Sequence, residues 1–421
     1  MKIWSLWLLV LSILAAPLQA KQLTQSEHST ISRAIKQIQA EQYGAAKTQL
    51  VELEAKLKPQ ENKDYALAMV WLNLANIALR QDRYQAGLKY YDQAVATGTL
   101  TPEQTLPLLL TRAQLNMSLE NWAQGTQLLR QWLQQAPAAQ VKAQHYQLLA
   151  QGYVQQEKWQ GATKAINQAL KRKPNAATSW YQIAVVAHSK LKQWNSAIKW
   201  QKRILAREPK AMLQWQQLAG LQMRANKSKD ALATFRLAHQ QGLFNRSQQY
   251  RILAQLLLQQ GNAYQAAQVI NKAMVSGKIK DTQKHQKLLS QAWLQAKQQD
   301  QAMQTLAKLA KQDPNKQNLW QLGQLQLQQQ RWQDALVTLK QLTGGSDSDR
   351  VYLMMAIANI NLKQYPNARA MLAKIDQEST YHGEVLSWRN YLAHIAPEPT
   401  LEDTALPAKP SAAELQTAAT S

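Results

Sequence analysis

Pro174 and Pro209 stand 35 residues apart, Trp180 and Trp215 also 35, and Tyr146 precedes Trp180 by 34. Recurrence at this interval constrains the fold more than composition can. A unit of that length holds two short helices and a turn. One such pair cannot bury its own apolar surface, so units must stack on their neighbours. Each unit opens with an aromatic, places an aliphatic three residues on, and follows it with a small residue, so one helical face is apolar. The small positions Ala150, Ala162, Ala184, Ala219, Ala254, Ala266, Gly323 and Ala335 let two helix axes approach closely. Trp71, Trp159, Trp180, Trp215 and Trp332 are expected to fill the core between pairs.

The pattern resembles the tetratricopeptide repeat family. Tyr146, Leu149, Ala150, Tyr153, Trp159, Ala162, Ile166, Ala169 and Pro174 carry one unit almost completely. Others are carried by Trp71, Leu74, Ala75, Tyr84, Gly87, Tyr91 and Ala94; by Trp215, Leu218, Ala219, Ala231, Phe235 and Ala238; by Tyr250, Leu253, Ala254, Ala266, Ile270 and Ala273; and by Leu322, Gly323, Trp332, Ala335 and Leu339. Weaker copies near Tyr43, Leu109, Trp180, Leu289 and Tyr352 bring the count to about ten units across residues 27–375. The copy at Leu109 departs by placing Arg112 where Leu is expected, and the copy at Trp180 has one residue too many. The resemblance implies an all-α fold, an α-solenoid of helix-turn-helix repeats. A further helix carrying Val385, Trp388, Leu392 and Ile395 on one face would cap the last unit.

The first twenty residues, MKIWSLWLLVLSILAAPLQA, hold one Lys, a short apolar run and a small residue at the end. That run is short for a bilayer span, which needs about 20 apolar residues, and it reads as a secretory signal peptide over 1–20. Retention as an uncleaved anchor is the alternative. The repeats then occupy 21–396, and the tail 397–421, with no aromatic and no period, is expected to be disordered. With no cysteine, disulfides, thiolate metal sites and a lipid-bearing Cys are absent. The expected location is the bacterial periplasm, with membrane association only peripheral or through a retained signal.

No catalytic or metal-binding constellation appears, and no cofactor is implied. The seven His (28, 145, 188, 239, 285, 382 and 394) lack ligand spacing and read as isolated packing or surface residues. Neither the paired glycines of TGGSDSDR (343–350) nor Val275-Ser276-Gly277-Lys278 sits in a phosphate-loop motif. In resembling proteins the inner groove comes from the first helix of each unit. Mapped here, the earlier units contribute Asn76, Gln114, Gln147, Gln151 and Tyr181. The later units contribute Gln216, Arg251, Gln255, Lys287, Gln291, Trp320 and Gln324. Amides donate and accept, which suits an extended peptide backbone.

Charge is uneven. The net is +23, and residues 141–250 hold 18 Lys plus Arg against 3 Asp plus Glu, whereas 21–100 hold 10 against 8. Lys171, Arg172, Lys173, Lys202 and Arg203 mark a basic surface. For an exported chain this points to protein or envelope partners and away from nucleic acid. Residues 210–375 are similar to periplasmic repeat proteins of proteobacterial TonB systems. That similarity implies a non-enzymatic adaptor linked to the ExbB–ExbD–TonB apparatus and outer-membrane uptake. The alternative is a binder of an anionic envelope polymer, peptidoglycan or exopolysaccharide, through the basic surface.

Overall fold

The computed structural model describes residues 23–344 and 347–396, so the proposed signal (1–20) and the tail (397–421) lie outside the described residues. Every regular element described is helical: 21 α-helices and one 3-10 turn at Ala138–Gln140. Twenty of the α-helices form ten successive pairs, the number of units the sequence leads one to expect. Among the described residues no helix is long and apolar enough to cross a membrane.

The chain divides into two compact units, one ending at Pro209 and the other starting at Lys210. The first holds α1 (Gln25–Gln39) with α2 (Tyr43–Leu57), α3 (Asp64–Arg80) with α4 (Tyr84–Ala96), and α5 (Pro102–Ser118) with α6 (Trp122–Gln135). It continues with α7 (Ala143–Gln155) against α8 (Trp159–Arg172) and α9 (Thr178–Lys190) against α10 (Trp194–Arg207). The second holds α11 (Met212–Arg224) with α12 (Ser228–Gln240), α13 (Ser247–Gln259) with α14 (Ala263–Val275), and α15 (Gln283–Gln295) with α16 (Gln299–Gln312). Then come α17 (Lys316–Gln328) with α18 (Trp332–Lys340) and α19 (Ser348–Asn361) with α20 (Tyr365–Leu372), followed by α21 (His382–Ile395). Within each unit the second helix of a pair packs on the first helix of the next.

The turn inside each pair is the same device ten times over. Glu41, Asp82, Glu120, Glu157, Lys192, Asn226, Gly261, Lys297, Gln330 and Lys363 all adopt φ between 54° and 74°. Five residues after each of them comes a buried Ala or Gly, from Ala46 and Gly87 through Ala162 and Ala197 to Ala368. The left-handed residue reverses the chain, and the small residue lets the second helix lie close against the first. At Gly323 an added Cβ would come within 2.9 Å of Leu339 Cδ2, so the helices of that pair leave no room for a side chain there.

This register corrects one expectation and settles another. Counted from Lys192, the core aromatic of the fifth pair is Tyr181, not Trp180. Tyr181 is only 2% exposed, stacks on Trp200 with centroids 5.7 Å apart, and has the Arg207 guanidinium 4.6 Å from its ring. Arg172 makes the same contact with Tyr146 at 4.4 Å, at the same separation along the chain. Arg112 does keep the Leu position in the third pair. Its guanidinium is neutralised by Asp92 on α4, with Nε 2.7 Å from Oδ1.

At the chain's start Thr24 accepts from the Glu27 N–H, and Glu27 in turn accepts from the Thr24 N–H at 2.8 Å and from Lys63 Nζ at 2.8 Å. Burial alone would raise the Glu27 pKa. The Lys63 and Thr24 bonds outweigh it and hold the carboxyl below its ordinary value. At the other end Val385, Trp388 and Leu392 of α21 are buried and Ile395 is half-buried, the face expected of a capping helix.

Candidate partner-binding site

On α5, α7, α9, α11, α13, α15 and α17 the positions ten and six residues before the left-handed turn are half-buried or exposed and form an open stripe. In the first unit that stripe includes Gln147 and Gln151 on α7, half-buried and bonded to each other (Nε2 to Oε1, 3.2 Å). Asn76 on α3 is half-buried and accepts from Arg80 Nε at 3.3 Å, and Gln114 on α5 is half-buried. Tyr181, expected to line the groove, does not: it belongs to the core, as the turn register dictates. The neighbouring Gln182 is the exposed residue at that stripe position, followed by exposed Val186. Two adjacent aromatics made the choice ambiguous in sequence. The Arg that recurs at one fixed distance behind Tyr146 and Tyr181 is the signal that resolves it.

In the second unit α13 touches α15, so the stripe with Arg251 and Gln255 and the stripe with Lys287 and Gln291 lie on contacting helices. Gln255, Lys287 and Gln291 are exposed, while Gln216 and Arg251 are half-buried. Lys287 Nζ lies 3.7 Å from an Asp313 carboxylate oxygen, a half-exposed pair of small energetic weight. Trp320 is half-buried with the Arg350 guanidinium 4.4 Å from its ring centroid, so one face of the indole is already occupied. Gln324 lies one turn further along α17 and is half-buried.

Sequence reasoning missed the apolar end of these stripes. Three residues past the second stripe position come Val154, Met223, Leu258, Leu294 and Leu327, on α7, α11, α13, α15 and α17. Met223 and Leu294 are exposed and the other three half-buried, so these five stripes end in an apolar residue. Leu213, also on the α11 stripe, is exposed. Helical periodicity alone could have found them, since each lies three or seven residues from a groove position already identified.

The indoles expected in the core divide. Trp215 is buried at 7% exposure, whereas Trp71, Trp159, Trp180 and Trp332 are half-buried. Trp71 donates from Nε1 to Glu54 at 2.9 Å, and Lys190 sits 5.2 Å over Trp159. A ring at the edge of a pair can keep a polar or cationic neighbour, which a fully enclosed one could not. Among the described residues no three His, Asp or Glu side chains gather as a metal site. His145, His188 and His239 are held below the usual imidazole value mainly by burial, which penalises the charged ring.

Lys171, Arg172, Lys173, Lys202 and Arg203 are all exposed, on or just beyond α8 and α10. They are not equivalent. Arg172 donates to Gln168 Oε1 at 2.7 Å besides covering Tyr146, and Lys173 Nζ lies 5.9 Å over Trp180.

Residues 148–211 match the family model described as "Tetratricopeptide repeat". No curated protein matches the sequence significantly. Among solved structures, the chain is similar to a tetratricopeptide repeat protein from Parabacteroides merdae at 16% identity, covering 64% of this chain and 99% of that one, with a TM-score of 0.33. It is also similar to MamA at 11% identity (40% and 88% covered, TM-score 0.33). A third likeness is to YrrB, titled a TPR protein with an unusual peptide-binding site, at 12% identity (44% and 88% covered, TM-score 0.34).

Proposed function

We propose that this chain, built of tetratricopeptide repeats, is a non-catalytic scaffold that holds a partner protein through an extended segment laid across its first-helix stripes. One observation carries this reading: the stripe recurs with polar residues first and an aliphatic residue last. Arg251, Gln255 and Leu258 form it on α13, and Lys287, Gln291 and Leu294 on α15. An extended peptide offers unpaired N–H and C=O groups that Gln side chains can satisfy. Its alternate side chains would meet the apolar row, and a single Arg commonly dominates such affinity.

The finer reading is that the partner belongs to a periplasmic TonB-type complex and that the chain serves outer-membrane uptake. It rests on the likeness of residues 210–375 to periplasmic repeat proteins of such systems and on the signal-like first twenty residues. A photo-crosslinking residue at Gln255 or Gln291, used in intact cells, tests both levels. Capture of a TonB-system subunit, lost on Arg251→Ala with Gln255→Ala, is the expected result. Capture of a different protein would remove the TonB assignment and keep the scaffold. No captured protein from either position would remove the peptide-binding reading itself.

A further inference from the structure

Outside the groove, the outer faces of α8 and α10 carry a charge that nothing in the repeat requires. Lys164 follows buried Ala162 by two residues, and Lys199 follows buried Ala197 by two, so both lysines leave their helices on the side away from the pair partner. Lys171 and Lys173 extend the α8 side, and Lys202 and Arg203 the α10 side; all six are exposed. Neither helix contains Asp or Glu. Among the described residues, no ion pair takes in any of the six. Each helix is about 21 Å long at 1.5 Å per residue, and both pack against α9.

We infer that this face docks the protein on a bilayer surface bearing anionic lipid headgroups. Three features select that partner over other polyanions. Five of the six charges are lysines, point charges on long stems that suit a diffuse field, with Lys173 and Lys199 lying over Trp180 and Trp200. Two arginines that could read a carboxylate or phosphate with a planar fork are tied down. Arg172 is held by Gln168 and Tyr146, and Arg207 by the Ala176 carbonyl and the Tyr181 ring. The rings that would stack on sugars or bases are themselves covered: Trp159 has Lys190 over it, Trp180 has Lys173, and Tyr181 has Arg207 and Trp200. An open, compact, lysine-rich face meets many headgroups at once, each basic side chain adding to the attraction. This inference stands independently of the peptide reading.

Sedimentation with phosphatidylcholine vesicles, with and without phosphatidylglycerol, tests it on the full chain. The wild type should partition onto the anionic vesicles only, and less as salt shortens the screening length below about 10 Å. Lys171→Glu, Lys173→Glu, Lys202→Glu and Arg203→Glu together should weaken that partition by roughly a hundredfold. A control reverses four exposed lysines elsewhere, Lys47, Lys56, Lys272 and Lys311, to the same net charge and should lose far less. Helicity by circular dichroism checks that both variants fold, and the apolar first twenty residues are common to all three proteins. Equal losses in patch and control variants would overturn the inference in favour of net charge. Wild type that ignores the anionic vesicles yet is retained on immobilised alginate would overturn it in favour of an anionic polymer.

Discussion

α15 and α19 are both first helices of a pair, both in the second unit, and both end in a left-handed Lys. Counting back equally from Lys297 and Lys363 aligns Lys287 with Leu353, Gln291 with Ile357, and Leu294 with Ile360. The α15 residues are exposed, whereas Leu353, Ile357 and Ile360 are exposed to only 1%, 6% and 5%. The three α19 residues belong to one apolar cluster with Leu372 of α20 and with Val385, Trp388 and Leu392 of α21. The same backbone thus carries two kinds of face. Where the stripe is Lys, Gln and Leu it stays open to a partner; where it is Leu, Ile and Ile it becomes core. In the first unit α1 comes nearest to α19, with Ile31 and Ile38 buried at two of the three positions, whereas on α3 only Leu72 is buried and Asn76 and Leu79 are half-buried. Stripe composition therefore separates open stripes from closed ones.

The largest effect should come from the closed side. Trp388→Ala removes a buried indole from the cap cluster and should lower stability by about 3–5 kcal/mol, the usual range for an enclosed Trp. Trp320→Ala removes a half-buried indole on an open stripe and should lose only about 1 kcal/mol, mostly the contact with Arg350. Urea unfolding followed by circular dichroism would measure both. Similar losses would mean that α17 is as closed as α19. A smaller contrast follows from swapping the stripes. Ile357→Gln buries an amide among aliphatics and should cost about 2–4 kcal/mol. Gln291→Ile places an aliphatic on an exposed site and should change stability by less than about 0.5 kcal/mol. A large gain from Gln291→Ile would show that the α15 stripe is already covered.

Most of the architecture was legible because the period, the small residues and the apolar spacing all demand one another. Ten pairs and a capping helix follow from that pattern, as does the enclosure of Val385, Trp388 and Leu392. The stripe was legible only in part. Amides at positions such as Gln255 and Gln291 could be placed through the resemblance, which sets the groove on the first helix of each unit. Whether a stripe is open depends on residues brought up from another helix, which no local pattern reveals. Tyr181 was misplaced because Trp180 and Tyr181 are adjacent and either satisfies the motif. The choice is made by the turn at Lys192, and its mark in residue type is the distant Arg behind each core ring, Arg172 and Arg207. Depth of burial of the indoles also escaped: Trp71 and Trp215 both stand eleven residues before their left-handed turns, yet only Trp215 is enclosed.

If the backbone is common to the open and closed helices, a purely backbone change must act equally on both. Lys297 has φ 55° and Lys363 has φ 57°. The hydrogen bonds around them also match. Lys297 N–H donates to the Leu294 carbonyl at 3.0 Å and Gln298 N–H to that of Trp293 at 2.9 Å. Lys363 N–H donates to Ile360 at 2.9 Å and Gln364 N–H to Asn359 at 2.8 Å. A side chain disfavours this left-handed region by about 1 kcal/mol or more, and glycine relieves that cost while making the unfolded chain somewhat freer. Lys297→Gly and Lys363→Gly should therefore each stabilise the protein by about 0.5 kcal/mol. Gly261→Ala, at the one such turn that already uses glycine, should destabilise it by a comparable or slightly larger amount. Thermal midpoints of the three variants decide the matter. Equal gains at 297 and 363 would place the whole difference between α15 and α19 in their side chains. A gain at Lys297→Gly with none at Lys363→Gly would mean that enclosing the α19 face also reshapes its turn, and the separation of backbone from stripe would fail.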